Sequence, residues 1–581
     1  MPETSYKNVR LVSAPFNYLT LPSMEVAILS AWLKPLVHNT KVDLLDIDYA
    51  CQIGGTAYEK AHQSVIGDAV FASILFPSHC PSIKKALAST DVKEDFESLR
   101  EMTKRFVAKY LNELECQTDS KTLFIFPLFS KQFFPSLCIS KEIYDRFGSK
   151  IWFSGFHCQK SCGKNVLELF PFVDQVFGNN PIREIVAQMT GQESPGYIKS
   201  LDDYPTPDYS DYQSAIDSTS PDFRENFIGH FWLQTPLSSG CSWNSCAFCT
   251  LNCQYNVFEQ RSISLLLEDY KKLFDRHGTT RILASQFHSG KNWKAVIGSL
   301  DARFPGLKGR HEAYLKVSEL QSETDIEFLK EHDVSVLVGV ESFVQNGLRL
   351  MNKGYTPIEA VWMLKLMERY GVKCYYNLIC SLPFENDDYF RASQDVIESI
   401  LHLIPPFDLE TFRLTHGSTM FGNPALYSIS KASPRAEVEG MLMPEDILEN
   451  YVPFFMDCQS NNEGIAERED AWKKLIDRWR SIYYGFATEG HPKTESLLCK
   501  KWIEDLLEIS DRRYRQGRCT TYVLRGLEKQ LYEYCDSIRT IEEIELEFPE
   551  LNSRLIEGLL EKFCETRIGF KEGARFISLA I

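Results

Sequence analysis

Two long runs of the sequence alternate between strand-like and helix-like segments, and this alternation limits the fold more than any other feature. In the first run, short apolar segments are separated by segments whose apolar residues recur at helical spacing. The predicted strands are residues 9–15, 41–48, 122–129, 151–156 and 173–177. Alternation of this kind predicts an α/β domain with a parallel, doubly wound (Rossmann-like) sheet over residues 1–190.

The strand ends of this first domain are its candidate binding residues. A doubly wound sheet binds its ligands at the carboxyl ends of its strands. The residues at those ends are Ser13, Pro15, Ser130, Gly155 and Gly178. The alternation alone leaves open a domain of the same fold that binds nothing.

A second run of alternation follows a break in the pattern. Residues 191–226 contain four prolines among Asp, Ser and Tyr, which is typical of a linker. The strands predicted after it are residues 235–239, 281–285, 312–317, 334–341, 372–380 and 409–415. Six strands with helices between them predict a partial (β/α)6 barrel over residues 227–425, with its chemistry at the carboxyl ends of the strands.

One barrel helix has a well-specified start and end. Thr356 can cap its N-terminus, Pro357 occupies the first helical position, and Glu359 completes a capping box. Gly371 follows at the position where helices end. These residues predict the helix bounds and carry no chemistry.

The C-terminal part is predicted to be a helical region over residues 426–517 and a winged-helix-like module over residues 518–581. The segments of that module are helices at 524–535, 541–547 and 552–564 and strands at 567–570 and 575–579. The module could be a structural cap over the barrel mouth. Alternatively, it could help to dock a substrate peptide, with Arg512, Arg513, Arg515 and Arg518 as a basic strip for an acidic segment.

Charge and cysteine usage exclude several classes of function. The net charge is −16, from 63 basic and 79 acidic residues, which is unlike a nucleic-acid-binding protein. Neither a signal peptide nor an apolar run near the ~20 residues of a membrane span is visible, so we expect no membrane partner. The 17 cysteines are an odd number in a chain without an export signal. They predict a cytoplasmic protein with reduced thiols and metal ligands.

The most informative cysteines are Cys241, Cys246 and Cys249, which directly follow the first barrel strand. Three thiolates in nine residues can hold three irons of a cubane and leave the fourth iron open for a substrate group. A zinc site is the alternative, with Cys253 as a fourth ligand. Three unrelated core cysteines are a further alternative, which this spacing at a strand-to-loop junction disfavours.

The cysteine spacing and several other segments resemble one protein family. Cys-x4-Cys-x2-Cys with Phe248 before the last cysteine resembles the radical S-adenosylmethionine (SAM) signature, which usually has three residues in its first gap. The other matching segments are Phe170-Pro171-Phe172-Val173-Asp174, Gly339-Val340-Glu341-Ser342, Leu350-Met351-Asn352-Lys353-Gly354, Tyr376-Asn377-Leu378 and Leu382-Pro383-Phe384-Glu385. They resemble the cobalamin-binding radical SAM proteins that mature ribosomally made peptides, a branch that includes C-methyltransferases. The resemblance extends over nearly the whole chain.

The resemblance implies roles for individual residues. Cys241, Cys246 and Cys249 would hold a [4Fe–4S] cluster, and the first domain would bind cobalamin. The residues implied in SAM binding are Phe248, Lys316, Glu341, Ser342, Asn377 and Pro383. Glu341 and Asn377 could instead be strand-end residues with internal hydrogen bonds, and Lys316 could be a solvated or ion-paired lysine.

Two segments depart from the family pattern. Where many radical SAM proteins have Gly-Gly-Glu to hold the SAM amine, this chain has Ala284-Ser285-Gln286, which brings no charge. The relatives' Gly-Glu-Gly-Glu turn is replaced by Gly178-Asn179-Asn180-Pro181, and no Asp-x-His-x-x-Gly motif marks a histidine ligand of cobalt. His157 follows a strand, and it could be a buried structural histidine or a cofactor contact.

The function implied by the resemblance is methyl transfer to an unactivated position of a peptide, with a flavodoxin- or ferredoxin-like electron donor. A rearrangement or ring contraction with the same cofactors is the first alternative. A peptide-binding scaffold with a purely structural cluster is an alternative of another class. Iron content together with SAM cleavage on reduction would separate the scaffold from the enzymes.

Overall fold

A parallel sheet forms the N-terminal part of the chain. The computed structural model describes residues 6–581 except 91–93, 130, 192–198, 230, 256, 279–280, 286–288, 463, 489–495 and 515–518. Within the described residues the sheet has five strands: Asn8–Ser13, Asn39–Leu44, Thr122–Leu128, Lys150–Gly155 and Gln175–Phe177. The second strand lies at one edge beside the first, and the third, fourth and fifth follow in order. This order is that of flavodoxin-like doubly wound sheets, so the predicted parallel α/β architecture is confirmed.

Both faces of this sheet are buried, as is usual for parallel sheets. Every residue of the central strand Thr122–Leu128 is buried. Leu123 and Ile125 pack in one hydrophobic cluster, while Phe124 and Phe126 alternate with them and pack in another. The helices of this part are Met24–Leu33, Leu45–Ile53, Gly55–Gln63, Ile66–Leu75, Cys80–Leu87, Phe96–Leu114, Phe133–Phe147, Lys160–Leu169 and Pro181–Thr190.

The stretch predicted as a linker contains regular structure and packs against the first sheet's helices. Its helix is Ser210–Ser218. Lys34 Nζ lies 2.8 Å from Asp208 Oδ2, and the Tyr212 hydroxyl donates to the Leu19 carbonyl. In its described residues, the proline-rich stretch therefore combines this helix with shorter helical segments and is attached to the first domain.

The second run of alternation also folds as parallel strands joined by helices. Its strands are Leu233–Pro236, Ile282–Ser285, Glu312–Leu315, Ser335–Glu341, Cys374–Cys380 and Asp408–Thr411. The first two pair with each other, and the other four form a sheet in chain order. Between the two groups the Ser289 N–H donates to the Tyr314 carbonyl (2.9 Å) and the Tyr314 N–H to Ser289 Oγ (2.8 Å). The six predicted strands are thus present, and their closure as a partial (β/α)6 barrel stays a prediction; below, the name barrel refers to residues 227–425.

The longer helices of the barrel lie between its strands, as the alternation predicts. They are Ile263–His277, Trp293–Arg303, Glu323–Glu331, Gln345–Leu350, Pro357–Tyr370 and Asp387–Ser399. The predicted capping box is confirmed, because Thr356 and Glu359 bond reciprocally at the start of Pro357–Tyr370. Gly371 ends that helix with a φ of 63°, in the left-handed region that favours glycine.

Residues 426–517 were predicted to be helical, and this prediction is wrong in part because the region also contains antiparallel strands. One antiparallel sheet joins Ile429–Pro434 and Phe455–Ser460 of this region with Leu414–Thr415, which precedes it; a second joins Leu498–Ile503 and Leu506–Asp511 with Thr520–Leu524, which follows it. In Leu506–Asp511 buried residues alternate with half-buried ones, the period of a strand that covers one side of a core. The longest helix here is Ile465–Thr488. No helix in the described part of the chain is both long and apolar enough to cross a membrane.

The C-terminal module has the three predicted helices and the two predicted strands, and it has an additional short strand between the first two helices. Its helices are Gly526–Tyr534, Ile541–Glu547 and Ser553–Glu565, and its strands are Arg539–Thr540, Gly569–Glu572 and Arg575–Ser578. The module packs against the side of the barrel. Lys365 Nζ on a barrel helix donates to the Ser578 carbonyl (2.7 Å), and His402 Nε2 lies 3.0 Å from the Leu579 carbonyl oxygen.

Of the predicted basic strip, Arg513 is not available as a docking surface. Arg513 is buried, and its guanidinium pairs with Asp511 (2.7 Å) and donates to the Arg567 carbonyl (2.8 Å). Arg515 and Arg518 lie outside the described residues. Arg513 also donates to the Ser399 carbonyl, and it therefore stabilises the junction between the barrel and the module.

Candidate active site

The three cysteines lie together on the loop that follows the short strand Ser238–Ser239. All three thiols are half-buried, and the Cys249 N–H donates to the Cys246 carbonyl (3.3 Å). Burial raises the pKa of the Cys246 thiol to about 11; nearby Lys353 acts to lower it, while Cys249 and Cys241 act to raise it. Within the described residues no three His, Cys, Asp or Glu side chains converge as ligands of one metal ion. A cubane does not need such convergence, because each thiolate binds a different iron.

Cys253 has a different environment from the three loop cysteines. It is buried in a small cluster with Cys162 and Phe454, and its Sγ lies 3.5 Å from the Cys249 carbonyl oxygen. This thiol thus packs between the barrel and the first domain. Its role as a fourth zinc ligand stays an alternative that no contact in the described part of the chain supports.

A second loop, residues 350–354, holds the cysteine loop from the side. The Ala247 N–H donates to the Met351 carbonyl (2.9 Å), and Asn352 Nδ2 donates to the Ser245 carbonyl (2.9 Å). This second loop is the run Leu350-Met351-Asn352-Lys353-Gly354, one of the segments that resemble the radical SAM family. Its position shows that the motif supports the cysteine loop.

Lys353 and Glu341 form a buried ion pair beside the cysteines. Lys353 Nζ lies 3.3 Å from Glu341 Oε1, and the two side chains are only 10% and 16% exposed. Burial acts to lower the pKa of Lys353, but Glu341 and Cys246 outweigh it and raise the pKa. The same ammonium lies 5.7 Å from the centre of the Phe248 ring. Lys353 was not among the predicted site residues, although its motif was noted.

Glu341 occupies its position because the end of its strand is irregular. The register with the next strand shifts between Val338 and Glu341, and the φ of Glu341 is 63°. A positive φ in a residue other than glycine costs energy and recurs at functional sites. The predicted Ser342 is buried next to it, and its hydroxyl bonds to the Tyr389 hydroxyl (2.6 Å) and accepts the Val344 N–H (3.0 Å). Ser342 therefore holds the turn, and its SAM contact stays a prediction.

Asn377 lies on the adjacent strand, with a side-chain oxygen that is buried and has no hydrogen-bond partner in the described part of the chain. Buried polar atoms are almost always hydrogen-bonded, and those that are not need an explanation. A bound polar ligand is one such explanation. This atom fits the predicted contact with SAM better than it fits the alternative of an internally satisfied residue.

The remaining predicted SAM residues lie on neighbouring strand ends. Lys316 Nζ is 5.0 Å from the centre of the Trp243 ring, so this lysine makes a cation–π contact, and it forms no ion pair with the described residues. The Pro383 carbonyl accepts a hydrogen bond from Asn462 Nδ2 (3.1 Å), so its turn is held by the segment before the long helix. Gln286, the residue in place of the amine-binding glutamate, lies outside the described residues.

Glu385 and Glu410 add charge around this site. Glu385 is fully buried, and Trp472 Nε1 donates to its Oε1 (2.7 Å), while its Oε2 has no partner among the described atoms. Burial raises the pKa of Glu385. Burial also raises the pKa of Glu410, with further contributions from Asp408 and Glu341. The sequence did not identify Glu410, because its strand has no motif and its neighbour Glu341 is far away in the chain.

The residues predicted to bind cobalamin are engaged in contacts within the first domain. Ser13 Oγ donates to buried Asp46 (2.9 Å), and Pro15 is buried. A side chain at Gly155 would overlap the Leu128 carbonyl, and one at Gly178 would overlap the Cys158 carbonyl. Both glycines thus allow close approach of adjacent strand ends. Ser130 lies outside the described residues, and the assignment of the other four to cobalamin stays a prediction.

The strand-end edge of the first domain nevertheless has features that suit a flat, apolar ligand. Tyr18 and Phe129, which follow the first and third strands, are 53% and 57% exposed. His157, which follows the fourth strand, is buried and stacked on Phe133 with ring centres 4.3 Å apart. Burial lowers the pKa of His157 to about 3, so the ring is neutral at physiological pH. Its Nδ1 has no hydrogen-bond partner among the described residues.

Comparisons with known proteins identify the fold. No family model matches the chain, and no curated protein matches it. Among solved structures, the cobalamin-dependent SAM radical enzyme OxsB with aqua-cobalamin and SAM bound is 12% identical, with a TM-score of 0.54 over 83% of this chain and 68% of that one. The radical SAM methyltransferase TsrM from Kitasatospora setae, with cobalamin and a [4Fe–4S] cluster, is 12% identical, with a TM-score of 0.52 over 82% of this chain and 92% of that one.

The chain has the fold of OxsB and TsrM. A TsrM structure with tryptophan substrate and a SAM analogue is 13% identical and has a TM-score of 0.50 over 82% of this chain and 90% of that one. At such identities the likeness establishes the fold and leaves substrate and reaction open.

Proposed function

We propose that the chain is a cobalamin-dependent radical SAM enzyme with a [4Fe–4S] cluster on Cys241, Cys246 and Cys249. The observation that carries the proposal is the position of these thiols. They lie after the first barrel strand and beside the Lys353–Glu341 pair, in a fold shared with OxsB and TsrM. Barrel enzymes place their chemistry at this end of the strands.

The protein's own residues would bind, orient and neutralise the cofactors. When bound, the cluster supplies the electron that cleaves the sulfonium C–S bond of SAM, and cobalamin carries a methyl group to carbons that SAM alone cannot reach. Lys353 places a positive charge beside Cys246, which offsets thiolate charge in a half-buried loop. The unpaired Asn377 oxygen is available to accept a hydrogen bond from SAM. Lys316 is a cation for the SAM carboxylate, and the Glu341 carboxylate can accept hydrogen bonds from the amine or the ribose.

The finer part of the proposal is methyl transfer to a peptide. TsrM is a methyltransferase, and the sequence motifs resemble the branch that modifies ribosomally made peptides. The exposed Tyr18 and Phe129 at the strand-end edge of the first domain are a suitable apolar surface for cobalamin. A flavodoxin- or ferredoxin-like protein would supply the electrons.

Iron content and SAM cleavage test the proposal. The chain with Cys241, Cys246 and Cys249 all replaced by alanine should stay folded, because all three are only half-buried, but it should bind no cluster and cleave no SAM. Anaerobically reconstituted wild-type protein should contain about four irons per chain and release methionine from SAM on reduction.

The matched control is Cys253→Ala, which removes a fourth thiol from the same segment and should leave iron content unchanged. Four irons in the triple variant would contradict the ligand assignment. Loss of metal in Cys253→Ala, with zinc in the wild type, would favour a four-cysteine zinc site instead.

A further inference from the structure

The cysteine loop has one residue more than the usual radical SAM signature, and the structure shows what the longer loop contacts. The additional length lies between Cys241 and Cys246, and Trp243 is the large apolar residue in it. Its indole ring is half-buried. Trp243 Nε1 donates to the Asn352 carbonyl (2.8 Å). The ring thus reaches across to the second loop, residues 350–354.

The second loop is shaped to receive this ring. A side chain at Gly354 would overlap the Trp243 ring, and the φ of Gly354 is 74°, a conformation that favours glycine. Asn352, with a φ of 55°, donates back to the Ser245 carbonyl (2.9 Å). Asn352 therefore accepts a hydrogen bond from the cysteine loop and donates another to it, and the indole packs against Gly354 beside these bonds.

The Trp243 ring also contacts Lys316. Its ammonium lies 5.0 Å from the centre of the Trp243 ring, and a cation at this distance is attracted by the ring. Lys316 begins the turn after the third barrel strand, where its own N–H donates to Glu319 Oε2 (3.0 Å). Trp243, on the loop that carries the cysteines, thus touches both the second loop, residues 350–354, and the lysine assigned to the SAM carboxylate.

We infer that Trp243 is a positioning residue that fixes the cysteine loop against residues 350–354 and holds Lys316 toward SAM. This inference rests on the proposed function and deepens it, because it explains how the longer loop keeps a cluster geometry. A loop without the indole would still have its three thiols. It would lose the Asn352 hydrogen bond, the packing against Gly354 and the support of Lys316.

Two readouts on the full-length reconstituted protein test the inference, and neither is activity. The first is the rate at which a chelator removes iron anaerobically. Trp243→Ala should release iron about tenfold faster than wild type, since a freed loop opens more often. The second is the SAM concentration that half-converts the electron paramagnetic resonance spectrum of the reduced cluster. It should rise roughly threefold in Trp243→Ala, because the cation–π contact with Lys316 is lost.

Two further variants separate the two contacts. Trp243→Phe keeps an aromatic ring but removes the N–H donor, so iron release should be faster than in wild type while the SAM response stays close to it. Gly354→Ala keeps the residue Trp243, but the added methyl group overlaps the indole ring and displaces it. This variant should therefore release iron faster than wild type. Gly354→Ala also decides the question if Trp243→Ala does not fold. The matched control is Trp502→Ala, which removes an indole that is 57% exposed on the C-terminal sheet.

The outcomes distinguish the inference from the function on which it rests. Wild-type protein that binds no iron would overturn the proposed function and the inference with it. Normal wild-type iron and SAM binding, with iron release and SAM response unchanged in Trp243→Ala and Gly354→Ala, would overturn the inference alone.

Discussion

Asp536 joins the C-terminal module to the barrel, and its replacement by asparagine tests whether the module is a fixed part of the fold. Lys365 Nζ lies 2.9 Å from Asp536 Oδ1, and Arg369 Nη2 lies 2.8 Å from Oδ2. Lys500 pairs with the same carboxylate. Burial acts to raise the pKa of Asp536, but these three cations outweigh it and hold the pKa well below its usual range.

The expected cost of Asp536→Asn follows from the burial of Lys365. The Lys365 side chain is 0% exposed, so water cannot solvate its ammonium when the carboxylate is gone. Removing one partner of a buried ion pair typically costs about 3–5 kcal/mol. The backbone carbonyls of Asp536 and Ser578, both 2.7 Å from Lys365 Nζ, remain as neutral acceptors. Burial also lowers the pKa of Lys365 to about 7, so the lysine can release its proton once the carboxylate is gone. Both effects place the expected loss toward the lower end of that range.

Hydrogen exchange measured by mass spectrometry is the suitable assay, because a chain with several domains need not unfold in one step. In Asp536→Asn, amides of the helices Gly526–Tyr534 and Ser553–Glu565 should exchange about two orders of magnitude faster than in wild type. The matched control is Glu528→Gln, which breaks the pair with Lys562 in the same module. That pair is 2.6 Å long and Lys562 is 58% exposed, so its loss should cost less than about 1 kcal/mol.

Equal exchange in Asp536→Asn and Glu528→Gln would refute the reasoning. The module would then be loosely attached, and the hypothesis that it docks a substrate peptide would gain support. The expected result instead means that a chain ended near Arg515 loses part of the barrel's packing. Such a truncation should unfold rather than lose only the recognition of a precursor peptide.

Two further predictions concern the first domain. Protein incubated with hydroxocobalamin should leave gel filtration with about one corrinoid per chain, and His157→Ala should not change its absorption spectrum; colourless protein would contradict the cobalamin assignment. Burial raises the pKa of Asp46 from 3.8 to about 6, so the folded domain keeps a proton that the unfolded chain has released. Its stability should therefore fall by roughly 3 kcal/mol as pH rises from about 4 to 6. Hydrogen exchange of the strand Asn8–Ser13 should show this decrease in stability with rising pH, and Asp46→Asn should abolish the decrease. An unchanged pH dependence in that variant would assign the effect to another titrating group.

The sequence determined the elements whose signals are local. The strands of the parallel sheets were predicted within a few residues; the clearest is Thr122–Leu128, which is buried on both faces and apolar almost throughout. Thr356, Pro357, Glu359 and Gly371 specified a helix from both ends. The antiparallel strands of residues 426–517 were missed, because Leu506–Asp511 is half-buried and its alternating pattern is short and mixed with charge.

Of the candidate site, the sequence determined the residue types and the tertiary structure decided the neighbours. The three cysteines and Glu341 could be singled out because their motifs are short and local. That Lys353 lies between Cys246 and Glu341, or that Trp243 lies against Gly354, follows from how two loops meet at one end of the barrel. More than 100 residues separate Trp243 from Gly354 along the chain. Local periodicity specifies helices and strands, but only the packing of those elements around a shared core determines which loop ends face each other.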